Sequence, residues 1–158
     1  ANAGHIDAHY TRVFYDLTGN GTVDAADRAL ALPRVPKWTW GIGALHELPL
    51  GGEARLVSRV DFNHRSRYAY TDSNYGWVEA SDNLDASVTW HLPVRGISLT
   101  VYGRNLLDEV QFGGDTQIPF GGPLSDGTNA PFDPRPAAGT FSPINKGRVV
   151  GAALAMEF

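Results

Sequence analysis

From residue 54 to residue 66 the chain gives its clearest alternation between two kinds of side chain. Ala54, Leu56, Val60 and Phe62 fall on even positions, and Arg55, Arg59, Asp61, Asn63 and Arg65 on odd ones. A β-strand turns successive side chains to opposite faces, so a period of two places an apolar surface on one side and a charged one on the other. The period recurs at 83–92, where Leu84, Ala86, Val88, Trp90 and Leu92 oppose Asn83, Asp85, Ser87, Thr89 and His91. It recurs at 97–104, with Ile97, Leu99 and Val101 against Ser98, Thr100, Tyr102 and Arg104, and at the end, with Val150, Ala152, Leu154, Met156 and Phe158 sharing one face. Two weaker strands are expected at about 37–48, with Trp38, Trp40, Ile42, Ala44 and Leu48 on one face, and at about 4–15, with Ile6, Ala8, Tyr10 and Phe14. Helical periodicity is almost absent. The expectation is an all-β, antiparallel architecture of about six strands.

Composition narrows the function classes. Thirteen Lys and Arg against 17 Asp and Glu give a net charge of -4, and the basic residues form no cluster of the kind that phosphate-backbone binding needs, so nucleic acid is not an expected partner. There is no Cys, which removes disulfides, zinc thiolates and thiol nucleophiles. No apolar run approaches the length of about 18 residues that a transmembrane helix needs. The first ten residues have neither the basic start nor the apolar stretch of a secretory signal, an expectation compatible with a processed end or a fragment. No phosphate loop, nucleophile elbow or catalytic triad pattern is present, so an enzyme is not expected.

The connections between strands alternate in length. Long ones lie near 16–36, 67–82 and 107–146, and short ones at Pro49 to Gly52 and Pro93 to Gly96. Membrane barrels segregate short turns to one rim and long loops to the other. Strands of about 10–12 residues also suit a tilted crossing of a bilayer. The competing architecture is a soluble antiparallel sandwich, in which two apolar faces pack on each other.

The long connection at 16–36 contains Asp16, Thr18, Asn20, Gly21, Thr22, Asp24 and Asp27 at the spacing of a 12-residue calcium loop. Hard oxygen ligands fall at positions 1, 3, 5, 9 and 12, Thr22 offers its carbonyl at position 7, and Gly21 stands where the sharp turn is needed. Asp27 in place of the bidentate Glu, and Thr18 in place of an acid or amide, predict a weaker site. The flanking helix has room for one or two turns between Ala25 and Leu32. The alternative is a solvated, turn-rich loop. His5, Asp7 and His9 share parity on a strand, but two His at this spacing are a weak metal signature.

Three further stretches, taken in order, resemble the end of a TonB-dependent outer-membrane receptor. Leu32-Pro33-Arg34-Val35-Pro36-Lys37-Trp38-Thr39 is similar to the segment that leads into a late barrel strand of that family. Val101 to Glu109, with Gly103-Arg104-Asn105-Leu106-Leu107-Asp108-Glu109, resembles the run at the top of its penultimate strand, although Val110-Gln111-Phe112 follows where a Tyr is common. Gly147-Arg148-Val149-Val150-Gly151 through Leu154 to Phe158 resembles its last strand. The resemblance implies that 1–158 is the C-terminal part of a transmembrane β-barrel, the last six of 22 strands, in the outer membrane of a Gram-negative bacterium. The long loops near 16–36, 67–82 and 107–146 would be extracellular. The function it implies is energy-coupled uptake of a siderophore, cofactor, oligosaccharide or peptide. The partners it implies are the rest of the barrel with its plug domain, the inner-membrane TonB complex, the lipid bilayer and an extracellular substrate. Arg59, Asp61 and Arg104 would then line the lumen and contact plug or substrate, with His64, Arg65 and Arg67 nearer the outer rim. Two other classes remain open: a non-transporting outer-membrane barrel or adhesin, and a soluble secreted β-sandwich binding module with a calcium loop.

Overall fold

A computed structural model of the chain describes residues 1–74, 76–94, 96–110, 116–118, 139–141 and 144–157. Its frame is one open antiparallel sheet. The strands are β1 (Asn2–His5), β2 (Trp38–Gly51), β3 (Ala54–Arg65), β6 (Ser81–His91), β7 (Ile97–Arg104) and β10 (Val149–Met156), hydrogen-bonded in that order. The intervening elements are small: helix α1 (Ala25–Arg28), the hairpin β4 (Tyr68–Ala69) with β5 (Trp77–Val78), and the pair β8 (Thr116–Ile118) with β9 (Gly139–Phe141). The sheet does not close into a barrel. Among the described residues no helix is long and apolar enough to cross a membrane.

Local chemistry sets where the strands begin and end. Pro36 lacks an amide hydrogen and Pro33 stands three residues before it, so the ladder of β2 starts only at Trp38. The β2–β3 turn passes through Gly51 and Gly52 at φ 103° and 60°, the left-handed region that costs a side-chain-bearing residue energy. A register shift between Pro49 and Gly51 accommodates Leu50, so the turn is a bulged hairpin.

The expected strand at 4–15 is corrected. Only Asn2–His5 pairs with β2, through Asn2–Gly41 to His5–Trp38, and one further bond runs from the Ile6 amide to the Lys37 carbonyl at 2.9 Å. Beyond Lys37 the neighbouring chain bends away through Pro36, which leaves Asp7 onward no ladder to join. The parity differs as well: Ala3 and His5, not Ile6 and Ala8, share the face of Trp38 and Trp40, and the His5 ring lies 4.3 Å from that of Trp38. The connection at 67–82 also departs from a plain loop, because β4 and β5 fold it into a short hairpin. Most of the connection at 107–146, with its Gly pairs and Phe112, Phe120 and Phe132, lies outside the described residues, as does Phe158.

The four longer pairings match the alternation read from sequence. Cross-strand rows on one face run Ile42–Phe62–Leu84, then Ala44–Val60–Ala86–Gly103–Val150, then Leu48–Leu56–Trp90–Leu99–Leu154. His46 and Ser58 interrupt this face beside Val88, Val101 and Ala152. The opposite face carries Arg59, Asp61, Asn63, Asp85, Ser87, Thr89, Thr100, Tyr102 and Arg104.

Among the described residues no second layer covers the apolar face. Trp40, Val60, Val88 and Trp90 are each 41% exposed, Leu154 58% and Val150 67%. The buried apolar residues among those described are Ala54, Ala69 and Val78, and two of the three belong to the β4–β5 hairpin. Because the sheet is an antiparallel meander, all three long connections leave it at the same end, and the turns at 52–53 and 92–96 leave it at the other.

Candidate functional site

The long-loop end is where the polar chemistry gathers. Asp16 begins the 16–27 loop by accepting amide hydrogens on both oxygens: Gly19 at 2.7 Å and Asn20 at 3.2 Å on Oδ1, and Gly21 at 2.6 Å on Oδ2. Asn20 Oδ1 accepts from the Thr22 amide at 2.8 Å and its hydroxyl at 2.9 Å. Asp24 caps α1 by accepting from the Ala26 amide at 2.7 Å, and its other oxygen faces Asn20 Nδ2 at 3.3 Å and Thr22 Oγ1 at 3.4 Å. Asp27 is fully buried. One of its oxygens accepts from the amides of Leu17 and Thr18, and the other from that of Asp24, completing a reciprocal capping box.

These bonds set the ionisation of both acids. For Asp27 the Asp24 amide is the largest influence and lowers its pKa; burial opposes it, and the Thr18 and Leu17 amides add to the lowering. Around Asp16 desolvation is the largest single influence and acts upward, but the amides of Gly21, Gly19 and Asn20 together outweigh it and the pKa falls. A carboxylate with a depressed folded-state pKa contributes stability above its unfolded value and loses it as pH falls through the folded one. The loop is therefore expected to resist a local protease unchanged at neutral and mildly acidic pH and to open only below the ordinary carboxylate value of 3.8. Limited proteolysis across that range checks it. Asp27→Ala leaves three amides without their acceptor, and is expected to speed cleavage between residues 16 and 28 several-fold at neutral pH.

The six sequence-predicted calcium ligands thus lie on one closed loop. Their carboxylates serve the loop's own backbone, and among the described residues no group of three or more His, Asp or Glu side chains is drawn together closely enough to hold a metal ion.

The segment from Tyr10 to Arg34 is fastened to the next connection by contacts that the sequence pattern does not announce. Asn74, at φ 57°, accepts from the Ala31 amide at 2.8 Å and donates to the Ala31 carbonyl at 2.9 Å. The Arg34 amide donates to the Ala69 carbonyl at 2.7 Å. The Tyr10 hydroxyl donates to Asp72 at 2.8 Å, and desolvation, with the Asp72 bond and charge, pushes that phenol up to about 12. The only sequence signal for Asn74 is an Asn in a turn-rich run, where Asn tolerates left-handed backbone.

The third connection is closed by the Asn105-to-Glu109 segment, as its polar residues suggest. The Asn105 amide donates to Asp85 Oδ1, its side chain spans the Glu109 carbonyl and amide, and Glu109 Oε2 accepts from the Asp82 amide at 2.7 Å. Asp108 accepts from the Arg148 amide at 3.0 Å and lies 3.6 Å from its guanidinium. The second and third motif segments therefore meet directly.

The six expected substrate or plug contacts do not form one group. Arg59, Asp61, Arg65 and Arg104 share the polar face, and Arg59 Nε and Asp61 Oδ2 are 2.5 Å apart. Arg67 lies beyond the end of β3, 4.3 Å over the Trp77 ring. His64 points the other way: it shares the face of Trp40, whose ring is 5.3 Å from its own, and its Nδ1 is 2.6 Å from Asp82 Oδ1. The structure also reveals a hollow of about 380 Å³ on the polar face. Gly41 and Gly43 form its floor, with Asn2, Arg59, Asp61 and Asn63 around it. A Cβ at Gly41 would lie 2.6 Å from Asn63 Oδ1 and 2.7 Å from Asn2 Oδ1, so the hollow exists because these positions lack side chains. Alternate glycines opposite a stripe of Asn and Asp were its sequence trace.

Comparison of the chain with known protein families, with curated proteins and with solved structures finds no match.

Proposed function

We propose that this chain forms the C-terminal wall of a TonB-dependent transport barrel in a bacterial outer membrane, its six strands the last of 22. The observation that carries the reading is the uncovered apolar face of a two-sided sheet whose long connections all leave at one end. In water such a face forgoes roughly 1.5–3 kcal/mol for each large side chain that burial would stabilise; against lipid hydrocarbon it is matched to its surroundings. The aromatic side chains are placed in the same sense. Trp38 and Trp40 stand at the loop end and Trp90, opposite Leu56 in the row of Leu48, towards the short-turn end. The eight residue steps from Trp40 to Leu48 span about 27 Å along the strand, or about 20 Å along the membrane normal at a tilt of about 40°, within the apolar band of about 25 Å that aromatic girdles flank in such barrels.

An open sheet in lipid leaves edge amides and carbonyls unpaired at several kcal/mol each, so β1 and β10 require further strands. In this reading the rest of the barrel supplies them, the polar face with Arg59, Asp61 and Arg104 lines the lumen and meets plug or substrate, and the inner-membrane TonB complex drives uptake through the plug. The nutrient enters past the loop end of the sheet, where Arg65 closes β3 and Arg67 follows it.

Peptide mapping of carbonate-washed outer membranes from the native source tests this. The expected result is that peptides of this chain are retained in the membrane together with several hundred residues that include a plug. Recovery of the protein in the soluble fraction overturns it.

The 16–27 loop is proposed to take calcium on the extracellular side, through Asp16, Thr18, Asn20, Asp24, Asp27 and the Thr22 carbonyl, by a rearrangement in which Asp16 and Asp27 give up the backbone amides they now accept from. Three carboxylates and no bidentate Glu place the expected dissociation constant at about 10⁻⁴–10⁻³ M. Calorimetric titration of calcium into chelator-treated protein is expected to show one such site, lost in Asp16→Asn, and heats unchanged by that substitution would remove calcium from the proposal.

A further inference from the structure

We infer that the loop end of the polar face, around Arg65 and Arg67, is a binding site for a soluble oxyanion ligand, a molecule presenting a carboxylate or phosphate group. Arg65 carries a buried Nε with no hydrogen-bond partner, the sole such side-chain atom among the described residues. A buried donor left unmatched in this way costs about 1–3 kcal/mol, a cost relieved when the guanidinium turns to meet an acceptor arriving from outside.

The surroundings select the charge of that partner. Arg65 is centred in a cross-strand row that runs Gly4–Thr39–Arg65–Ser81. The row offers two hydroxyls, Thr39 and Ser81, on the strands to either side, and no carboxylate. The nearest acid in sequence along β6, Asp82, is on the opposite face and engaged by His64. The guanidinium of Arg65 lies 5.0 Å over the Tyr68 ring, and that of Arg67 lies 4.3 Å over Trp77. Stacking occupies the flat face of a guanidinium and leaves the N–H donors at its edge, the geometry that suits a planar carboxylate or a phosphate. Neither Arg has an acidic side chain within ion-pair distance among the described residues, whereas Arg55, Arg59 and Arg148 each have one. The two guanidinium groups stand one residue apart on a chain of net charge -4; the register of the flanking pairs sets Glu79 across from Arg67, and among the described residues no ion pair joins them. One position further along β3 towards the short-turn end on the same face, Asn63 adds an amide at the edge of the glycine-floored hollow.

The source of the anion follows from the face. Arg65 belongs to the side opposite Trp40, Phe62 and Val60, so a group reaching it arrives from the aqueous side and not from a lipid headgroup. This last step rests on the lumenal reading of the polar face; the binding itself does not.

Calorimetric titration of the intact, natively isolated protein with inorganic phosphate, and separately with acetate, tests the inference against sodium chloride at equal ionic strength. Saturable heat is expected with at least one oxyanion. Arg65→Gln is expected to weaken binding about tenfold or more, and the exposed Arg67→Gln, which places no demand on folding, to weaken it measurably. Arg55→Gln, at the far end of the strand, serves as the unaffected comparison. Heats equal to those of chloride, or an equal response of the Arg65 and Arg55 variants, overturn the site. Arg65-dependent binding of phosphatidylglycerol vesicles without any response to phosphate or acetate overturns the soluble source. The titration needs no membrane, so it fails or succeeds separately from the fractionation that tests the transport reading.

Discussion

Val60→Arg is expected to destabilise the protein in a bilayer by about 2–4 kcal/mol, the cost of an Arg on the lipid face near the midplane of a membrane barrel. Val60 lies in the middle of β3, between Ala44 and Ala86 on the apolar face, and is 41% exposed, with no layer over it among the described residues. The substitution that controls for size and charge is Val57→Arg. It stands on the polar face directly opposite Glu47, where an added cation meets water and an acid, and a surface change of this kind stays within about 0.5 kcal/mol. Denaturant unfolding of the reconstituted protein measures both. The comparison separates the two environments because the positions differ by three residues on one strand and by little except the face they present. If the apolar face met water instead, Val60→Arg would be as innocuous as Val57→Arg, and equal midpoints for the two variants would exclude the membrane assignment.

Much of this sheet was readable because the information is local. A period of two needs no partner to be recognised, and β3, β6, β7 and β10 form where Arg59, Asp61, Ser87 and Thr100 alternate with Val60, Ala86 and Leu99. The segment 6–15 was not readable in the same way. Its fate depends on whether a neighbouring ladder continues beside it, and Pro36, some twenty residues away in sequence, decides that β2 begins at Trp38. His64 is a different case. Its even parity already placed it with Phe62, on the face away from Arg65, but proximity to the rim outweighed parity in grouping it with the arginines; the structure pairs it with Asp82 and Trp40. At the 16–27 loop the spacing of oxygen-bearing residues was visible, whereas the turning of Asp27 toward the amides of Leu17, Thr18 and Asp24 was not. Spacing fixes which side chains are near one another and leaves open whether they face an ion or their own backbone. The Asn74 clamp and the unpartnered Arg65 Nε arise from contacts between separate connections, which no single stretch of sequence encodes.

Asn105→Ala carries the second large expected effect, a loss of about 2–4 kcal/mol, because it removes two kinds of stabilisation at one buried residue. Asn105 is 7% exposed. Its side chain accepts from the Glu109 amide at 3.1 Å and donates to the Glu109 carbonyl at 2.8 Å, and both partners lose a bond on truncation, at about 1 kcal/mol each. Its backbone sits at φ 49°, a conformation that Asn tolerates and Ala resists by a further 1–2 kcal/mol or so. Asn105→Gly separates the contributions, since glycine adopts positive φ freely but makes neither side-chain bond, and is expected to be about 1 kcal/mol less damaging than Ala. The damage should also travel. Glu109 is held by Asn105 and in turn accepts from the Asp82 amide at the start of β6, so hydrogen exchange at Asp82 is expected to rise in both variants beyond the rise at Thr100, in the middle of β7, which follows the global loss of stability. Asp82 protected as before in a destabilised Asn105→Ala protein would show that Glu109 keeps its place without Asn105, and that the segment closes the strand end by some other contact.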